Sequence, residues 1–366
     1  MLEKETRMIS LQNKIKIKYY KLLSFKHWEF LPANIFYIPV FFYYIFLMLK
    51  YRISFTAISA VNPCFAAGGM AFDSKYDMIS KFFSYPESVA KTILIDVNKK
   101  ENLLSIEDKI QKNDLNYPVI CKPDRGHRGN GFKIIRNRND LLEYMKLCNR
   151  NFLIQEYIEY PLEYGVFWVK IPSESKGRIT SITRKILPFL KGDGKSSLSE
   201  LILSDKRAKY MASAYFEKNK NHLDTIIAAE TNFRICSAGN HCQGAIFEDG
   251  SKDIEGKTFK RLEEIFSSVK GYDFGRMDIK FKDKDALSNG KNFKILEVNG
   301  SEAESTHIYD RKYSLFYAYK TLYNQWDTLF KIARENRKNG FYGLSASRML
   351  RSYLDFFEEN NVIQSD

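Results

Sequence analysis

Residues that build disulfide scaffolds and cysteine–histidine metal centres are scarce in this chain. Its 366 residues include only five cysteines and five histidines, and neither type recurs at the spacing of a metal-ligand pair. The cysteine count is odd and no cleavable signal sequence is recognisable, so we expect reduced thiols and a cytoplasmic protein. No internal repeat or low-complexity tract stands out. These absences leave an intracellular protein without a disulfide framework.

Negative charge is also in short supply, with 44 acidic against 57 basic residues and a formal net charge of +13. A nucleic-acid-binding protein would concentrate its basic and aromatic residues on a recognition module. The sequence contains no such module, so we expect no nucleic-acid partner. The hydrophobic content of 44% is enough for one large core or for two to three small ones.

Charge-free stretches are rare, and residues 30–49 form the prominent one. The run is rich in Phe, Tyr, Ile and Leu and follows a basic arm. Its length is just enough to cross a hydrocarbon core, but Pro32 and Pro39 argue against one regular spanning helix. We expect residues 1–52 to contact anionic lipid at the inner face of the cytoplasmic membrane. The alternative is a buried core helix beside an amphipathic neighbour.

Three oxygen-bearing side chains lie on two predicted strands in the C-terminal half. Asp278 lies in residues 274–281, and Glu297 and Asn299 lie two apart in residues 295–300. Residues two apart on a strand face the same side. Carboxylate and amide oxygens suit Mg²⁺, which leaves its other positions for water and phosphates. The alternative is the polar face of an ordinary antiparallel pair.

A lysine and a glycine-rich loop precede these strands. Lys122 ends one predicted strand, Gly126, Gly129 and Gly131 follow, and a second strand is predicted at residues 132–135. Glycine lets backbone N–H groups approach phosphate oxygens, and lysine adds a charge. The loop is neither a Walker loop nor a Rossmann fingerprint, because a strand follows it. A plain hairpin turn is the alternative.

The next predicted elements are a strand at residues 152–158, a short connector, and a strand that begins near Glu163. In this order and spacing, the motifs of residues 75–310 resemble those of the ATP-grasp superfamily, and among its members the D-alanine–D-alanine ligases. The resemblance implies an α+β fold in which two subdomains grip ATP, preceded by a short region and the membrane-directed arm.

The resemblance also implies roles for individual residues. Lys75 and Lys122 would hold the ATP phosphates together with the glycine loop, which would close over ATP as a lid. Gln155, Glu156 and Ile158 would line the adenine pocket, and Glu163 would bind the ribose. Arg276 would stabilise the reacting acyl phosphate. Asp278, Glu297 and Asn299 would hold two Mg²⁺ ions, or Mn²⁺ in their place.

Further polar residues near these motifs have no settled role. Residues 192–201 resemble the Gly-Asp-Gly-Lys stretch of amide-forming ligases, but a tight turn and a capping box at Ser197 also explain them. Arg184 and Lys185 either approach a phosphate or carboxylate or form a solvated strand face. Glu302 and Glu304 suit a cationic amine and His307 a proton transfer, although a solvated acidic turn also explains the glutamates.

The predicted organisation has five parts: an arm at 1–52, a pre-ATP-grasp region at 53–110, a lid domain at 111–165, a catalytic domain at 166–320 and a helical tail at 321–366. A strand is predicted at residues 54–60. An apolar stripe is expected to dock the tail on the body: Leu344, Met349, Leu350, Tyr353, Leu354 and Phe357. The resemblance implies an ATP-dependent carboxylate–amine ligase that uses Mg²⁺ and an acyl phosphate. The region before Lys75 is short and the sequence after Asn299 departs from dipeptide ligases, so we expect a cell-envelope or amino-acid-type substrate. The alternative is an ATP-grasp phosphotransferase or a non-ligating ATP-binding regulator.

Overall fold

A computed structural model describes residues 11–99, 101–126, 131–236, 239, 241 and 244–359. The helices are α1 (Leu11–Ser24), α2 (Ala33–Phe36), α3 (Ile38–Tyr51), α4 (Lys75–Ser80), α5 (Leu103–Lys112), α6 (Arg138–Leu147), α7 (Leu198–Ser204), α8 (Ala212–Lys218), α9 (Gly256–Ser268), α10 (Ala286–Asn289), α11 (Leu315–Lys338) and α12 (Ala346–Glu359). The strands are β1 (Thr92–Ile95), β2 (Val119–Pro123), β3 (Lys133–Ile135), β4 (Phe152–Glu156), β5 (Leu162–Val169), β6 (Arg178–Ile186), β7 (Phe189–Lys191), β8 (Asn232–Arg234), β9 (Ile246–Asp249), β10 (Phe274–Phe281) and β11 (Phe293–Asn299). The architecture is α+β, as predicted.

The chain folds into two compact units, and the smaller one combines Met1–Ile38 with Ile186–Ile246. Its core contains Leu198, Ile202, Tyr215 and Phe216, and α1 packs against it through Ile17 and Tyr20. The helix α7 begins with the predicted capping box, in which Ser197 and Glu200 exchange hydrogen bonds. The predicted five-part division did not anticipate this pairing of distant segments.

The larger unit, Pro39–Lys185 with Phe247–Asp366, contains two antiparallel sheets. The first has the strand order β1-β4-β2-β3. One face of it is covered by α5 and α6, whose buried Ile106, Ile110 and Leu141 pack on Val119 and Ile154. The predicted strands on both sides of the glycine loop are therefore confirmed, and they are neighbours in this sheet.

The second sheet has the order β11-β10-β5-β6-β9, so β10 lies between β11 and β5. The helix α9 covers it through Leu262, Ile265 and Phe266. The edge strand β11 also meets the chain that enters the first sheet, because the Ala90 amide donates to the Ile295 carbonyl at 2.9 Å. The carboxylate-bearing strands are therefore held next to the first sheet.

One prediction about secondary structure was wrong, and one about packing was right only in part. The strand predicted at residues 54–60 is a 3₁₀ helix, Phe55–Ala60, in which Thr56 to Ala60 are all buried. Such a short apolar run has no periodicity that separates a strand from a buried helical turn. The stripe predicted to dock α12 on the body docks only in part, because Met349 is buried whereas Leu350 and Phe357 are exposed.

The N-terminal run of residues 30–49 does not form one regular helix, in agreement with the effect expected of Pro32 and Pro39. It forms a 3₁₀ turn at Trp28–Phe30, the short α2, and then the 14-residue α3. Across the part of the chain that the structure describes, no helix has the length and apolar character needed to traverse a bilayer.

Candidate functional site

The predicted metal-binding side chains meet where β10 pairs with β11. Asp278 lies directly opposite Glu297, and Arg276 lies opposite Asn299 on the same pair of strands. Asp278 also lies opposite Gly165 on β5. Because Gly165 has no side chain, Arg276 can lie across it: a Cβ there would be 3.0 Å from Arg276 Cδ.

Two cations hold Asp278. Arg276 Nε lies 2.9 Å from Asp278 Oδ1, and Lys185 Nζ lies 2.9 Å from Oδ2. Burial alone would raise the pKa of Asp278, but Arg276 and Lys185 outweigh it and hold the pKa below its ordinary value. Asp278 is therefore a buried, charged carboxylate, and the alternative of a solvated polar strand face does not describe it.

Lys185 is a site residue whose role the sequence left open. Its amine also lies 3.1 Å from Glu163 Oε1, so it bridges the carboxylates of β5 and β10. Burial would lower the pKa of Lys185, but Asp278 and Glu163 outweigh it and raise the pKa. The neighbouring Arg184 is exposed. Lys185 on β6 lies directly opposite Glu163 on β5.

The donor set fits a hard divalent cation. The side-chain carboxylate of Glu297 makes no hydrogen bond or ion pair with any residue that the structure describes. The side-chain nitrogen Nδ2 of Asn299 is buried and has no hydrogen-bond partner. A buried amide without a partner is unusual in a folded protein. Within the described ranges, no three His, Cys, Asp or Glu side chains are arranged to hold a metal. The candidate metal ligands are therefore the carboxylates of Asp278 and Glu297 and the side-chain amide of Asn299.

Both predicted phosphate-binding lysines lie beside this set. Lys122 Nζ donates to Gln155 Oε1 at 3.1 Å and to the Leu296 carbonyl at 3.3 Å, next to Glu297. Lys75 donates to the Gly126 carbonyl. Burial lowers the pKa of Lys75 to about 8, although the charge of Glu297 partly offsets it. Burial also lowers the pKa of Lys122, and the negative charges of Glu297 and Asp278 oppose this effect.

Asp124 positions Lys75, and sequence reasoning missed it. The carboxylate accepts hydrogen bonds from the Ser74 hydroxyl and the Tyr76 amide, both at 3.0 Å, and the Lys75 amide donates to the Asp124 carbonyl. Asp124 thereby fastens the first turn of α4 to the end of β2. Its place directly after a lysine-bearing strand was the only available signal.

The predicted adenine-binding residues line the same region in different ways. Gln155 is buried, and its amide donates to Thr92 Oγ1 and to the Leu296 carbonyl, so its side chain is already engaged. Glu156 accepts from the Lys91 amide at 3.2 Å. The Ile158 carbonyl accepts from Lys280 at 2.8 Å. Glu163 pairs with Lys185 instead of standing free for a ribose.

The remaining candidates are dispersed. Lys195 is exposed on its turn, and both carboxylate oxygens of Glu302 accept protein hydrogen bonds, from the Ala71 amide and the Tyr353 hydroxyl. The Glu304 carbonyl accepts from Arg276 at 3.2 Å. His307 is buried, with Nε2 3.1 Å from the Tyr317 hydroxyl. Gly131 ends the glycine loop at a φ of 73°, whereas Gly129 lies outside the described residues.

An apolar cavity of about 520 Å³ also lies in the larger unit. Its lining includes Tyr44, Met70, Met349 and Tyr353, and none of the residues discussed above for ATP or metal. A nucleotide needs charged and polar partners at its phosphates, so we place the candidate ATP site at the lysines and carboxylates and not in this cavity.

Comparison with protein families found one match in this region. Residues 72–166, about a quarter of the chain, match the model of the tubulin-tyrosine ligase family. The matched segment contains Lys75, Lys122, the glycine loop and Glu163. A search among curated protein sequences found no match.

Comparison with solved structures found several ligases. The VanG D-Ala:D-Ser ligase of Enterococcus faecalis has 13% identity and a TM-score of 0.41, over 70% of this chain and 61% of that one. The D-alanine-D-alanine ligase of Coxiella burnetii has 8% identity and a TM-score of 0.42, over 78% and 61%. The bifunctional glutathione synthetase of Pasteurella multocida has 15% identity and a TM-score of 0.36, over 68% and 36%.

The chain thus spans less than two thirds of the length of each of these three proteins. TM-scores below 0.5 do not establish a common fold. The ATP-grasp interpretation therefore rests on the sequence motifs and on the geometry of the site.

Proposed function

We propose that the protein is an ATP-dependent carboxylate–amine ligase of the ATP-grasp type that works through an acyl phosphate. The observation that carries the proposal is that two half-buried lysines, Lys75 and Lys122, lie near Glu297, whose charge opposes the lowering of both pKa values by burial. Lys122 Nζ lies 3.3 Å from the Leu296 carbonyl, next to Glu297. Cations beside carboxylates suit a triphosphate bound with divalent cations. The tubulin-tyrosine ligase match over this segment is consistent with a ligase.

The chain's own residues bind and orient the reactants in this mechanism. Lys75 and Lys122 neutralise phosphate oxygens, and the glycine loop offers backbone N–H groups to them. A carboxylate oxygen of one substrate attacks the γ-phosphorus, and the bond to ADP breaks. An amine then attacks the acyl carbon, loses a proton and expels phosphate, while Arg276 stabilises the oxyanion that develops.

Asp278, Glu297 and Asn299 would hold Mg²⁺, with Mn²⁺ as a substitute, and a second ion would share the carboxylates. Bound Mg²⁺ neutralises charge on the transferring phosphoryl group. Arg276 lies 2.9 Å from one oxygen of Asp278 and Lys185 lies 2.9 Å from the other. Because a carboxylate has about four lone-pair sites, Asp278 could hold a metal and keep these contacts.

We propose a small amino-acid-type or cell-envelope carboxylate and a small amine. Both oxygens of Glu302 accept protein hydrogen bonds, and Tyr309 donates to Glu304 Oε2 at 3.3 Å, so neither glutamate is singled out to meet a cationic amine. Association of residues 1–52 with the inner face of the cytoplasmic membrane is a separate proposal, since no step of the ATP chemistry depends on it.

Amine-dependent release of phosphate from ATP tests the ligase proposal. The purified protein is incubated with Mg·ATP, a panel of amino-acid carboxylates, and amino acids and amino sugars as amines. A ligase releases phosphate at a rate that depends on both substrates, and it forms an amide detectable by mass spectrometry. A phosphotransferase instead forms a stable phosphorylated product without an amine, and a regulator binds ATP without consuming it.

Glu297→Gln supplies the matched test of the site. We expect turnover to fall by roughly two to three orders of magnitude, because a charged ligand of the phosphoryl-transfer site is lost. Glu143→Gln, at an exposed position on α6, should leave turnover unchanged. Full activity of the Glu297→Gln protein would remove Glu297 from the proposed machinery.

A further inference from the structure

The outward side of α3 is an apolar surface. Its large exposed side chains recur every three or four residues, so they form one stripe along the helix. Phe42 and Leu49 are 65% and 75% exposed. The stripe consists of Ile38, Phe41, Phe42, Ile45, Phe46 and Leu49. Soluble proteins rarely leave so many large apolar side chains together in water without a partner.

The opposite side of α3 is built into the protein. Leu47 is fully buried in the core that also contains Phe330. Tyr44 packs on Trp326 and Phe330 of α11, with ring centroids 5.1 Å and 5.0 Å apart. The helix therefore cannot leave the protein without exposing its core, and its outward side remains fixed and uncovered.

A second helix in the same unit repeats this pattern. On α12, Met349 and Phe356 are buried, whereas Leu350, Leu354 and Phe357 are 62%, 55% and 60% exposed. The apolar cavity of about 520 Å³ is lined by Tyr44 from α3 and by Met349, Leu350 and Tyr353 from α12. The two helices therefore flank one apolar cavity.

Basic side chains accompany both stripes. Arg52 is exposed just beyond the end of α3, and Arg348 and Arg351 are exposed on α12. Apolar side chains next to basic ones match an anionic lipid surface, which offers hydrocarbon below its charged headgroups.

We propose that the outward faces of α3 and α12 form an interfacial membrane-binding surface that enters one leaflet of an anionic bilayer without crossing it. The 14-residue length of α3 agrees with a helix that lies in the interface. The segment at residues 1–10 is a poor alternative cover for the stripe, because Glu3, Lys4, Glu5 and Arg7 make it strongly charged. This inference is independent of the proposed ligase function.

Sedimentation with lipid vesicles tests the proposal. The full-length protein is mixed with vesicles of phosphatidylcholine alone and with vesicles containing equimolar phosphatidylglycerol, at about 0.1 M and about 1 M salt. We expect binding to the anionic vesicles that weakens at high salt. The double variant Phe42→Ser/Phe46→Ser should bind roughly tenfold to a hundredfold more weakly, because two aromatic rings no longer enter the leaflet.

A matched double variant, Leu147→Ser/Phe189→Ser, removes two other exposed apolar side chains, which are 58% and 57% exposed, and should bind as the native protein does. Circular dichroism and thermal denaturation of all variants without lipid report whether they are folded. Equal vesicle binding by both double variants would overturn the proposal. So would self-association without lipid that Phe42→Ser/Phe46→Ser abolishes, because a second copy of the chain would then cover the stripe.

Discussion

Burial lowers the pKa of both Lys185 and Lys75, and the neighbouring carboxylates decide the net result. Lys185 is buried between Asp278 and Glu163, and these carboxylates outweigh burial and raise its pKa. Lys75 is half-buried, and the charge of Glu297 offsets burial only in part, so its pKa falls to about 8. Carboxylates of the protein balance the charge of Lys185, whereas the charge of Lys75 is available to a ligand.

Nucleotide affinity should therefore depend on pH through Lys75. Only the ammonium form attracts phosphate, so affinity should be constant below pH 8 and should fall by up to about tenfold per pH unit above it. Calorimetric titration with Mg·ADP between about pH 7 and 9.5 measures this. Lys75→Arg should flatten the profile, because a guanidinium stays protonated in this range. A native affinity that does not change with pH would contradict the assignment.

The contributions of Lys185 and Asp278 to folding stability should be coupled, because the two side chains form an ion pair. Lys185→Met leaves the buried carboxylate with one partner fewer and should lower the free energy of unfolding by about 3 kcal/mol. In a protein that already carries Asp278→Asn, Lys185→Met should lower the free energy of unfolding by clearly less. Because the pKa of Asp278 is lowered in the folded protein, its contribution is present above the pKa of an unfolded aspartate, about 4, and disappears as the pH falls below it. Urea denaturation of the native protein, the two single variants and the double variant Lys185→Met/Asp278→Asn at pH 7 and at pH 3 checks this, and strictly additive effects would refute the coupling.

At the level of helices, strands and loops, the site depends on how the loop after the 3₁₀ helix Phe55–Ala60 meets β10. Asn62 is fully buried, and its amide donates to the Gly68 and Phe274 carbonyls at 2.8 Å. Its oxygen accepts from the Asp273 and Phe274 amides, also at 2.8 Å. One side chain therefore fixes the start of the strand that carries Arg276 and Asp278.

Removal of this side chain should destabilise the larger unit. Asn62→Ala removes four buried hydrogen bonds to the backbone and should reduce the free energy of unfolding by about 3 kcal/mol or more. Asn139→Ala, at an exposed position of α6, is the matched control and should change it by less than about 1 kcal/mol. Urea denaturation compares the two. Equal stability of both variants would show that Asn62 does not hold this junction.

Sequence patterns predicted the elements whose signals are local. The strands around Lys122, the strand pair with Asp278 and Glu297, and the capping box at Ser197 are all present as predicted. The 3₁₀ helix at Phe55–Ala60 was missed because burial removed any alternation. Asp124 and Lys185 were missed as partners because their contacts join segments far apart in the chain. Such pairings depend on tertiary packing, which no local pattern encodes.

For the molecule as a whole, the predicted separation of residues 1–52 from the body needs revision. The helix α3 belongs to the core of the larger unit through Leu47, and Lys50 pairs with Asp327 of α11 at 2.5 Å. Removal of residues 1–52 would therefore take away part of a core as well as a lipid-binding segment. Point substitutions on the outward face separate the two effects.

Deletion of residues 1–52 and substitution of the core residue Leu47 should therefore both destabilise the protein. Leu47→Ala should lower the free energy of unfolding by about 2–5 kcal/mol, and deletion of residues 1–52 should lower the melting temperature further or prevent folding. Leu49→Ala, at a 75% exposed position two residues away, should have little effect without lipid. Thermal denaturation without lipid measures all three. A deletion variant as stable as the native protein would restore the view of a separable arm.

Binding of a non-hydrolysable ATP analogue with Mg²⁺, measured by calorimetry for the native protein, Lys122→Met and Lys146→Met, tests the proposed triphosphate site most directly. Lys146 is an exposed lysine of α6, so its substitution should leave the dissociation constant unchanged. Lys122→Met keeps the volume of the side chain but removes its charge, and it should weaken binding by roughly tenfold to a hundredfold. Equal affinities for all three proteins would contradict the placement of the nucleotide phosphates between Lys122 and Glu297.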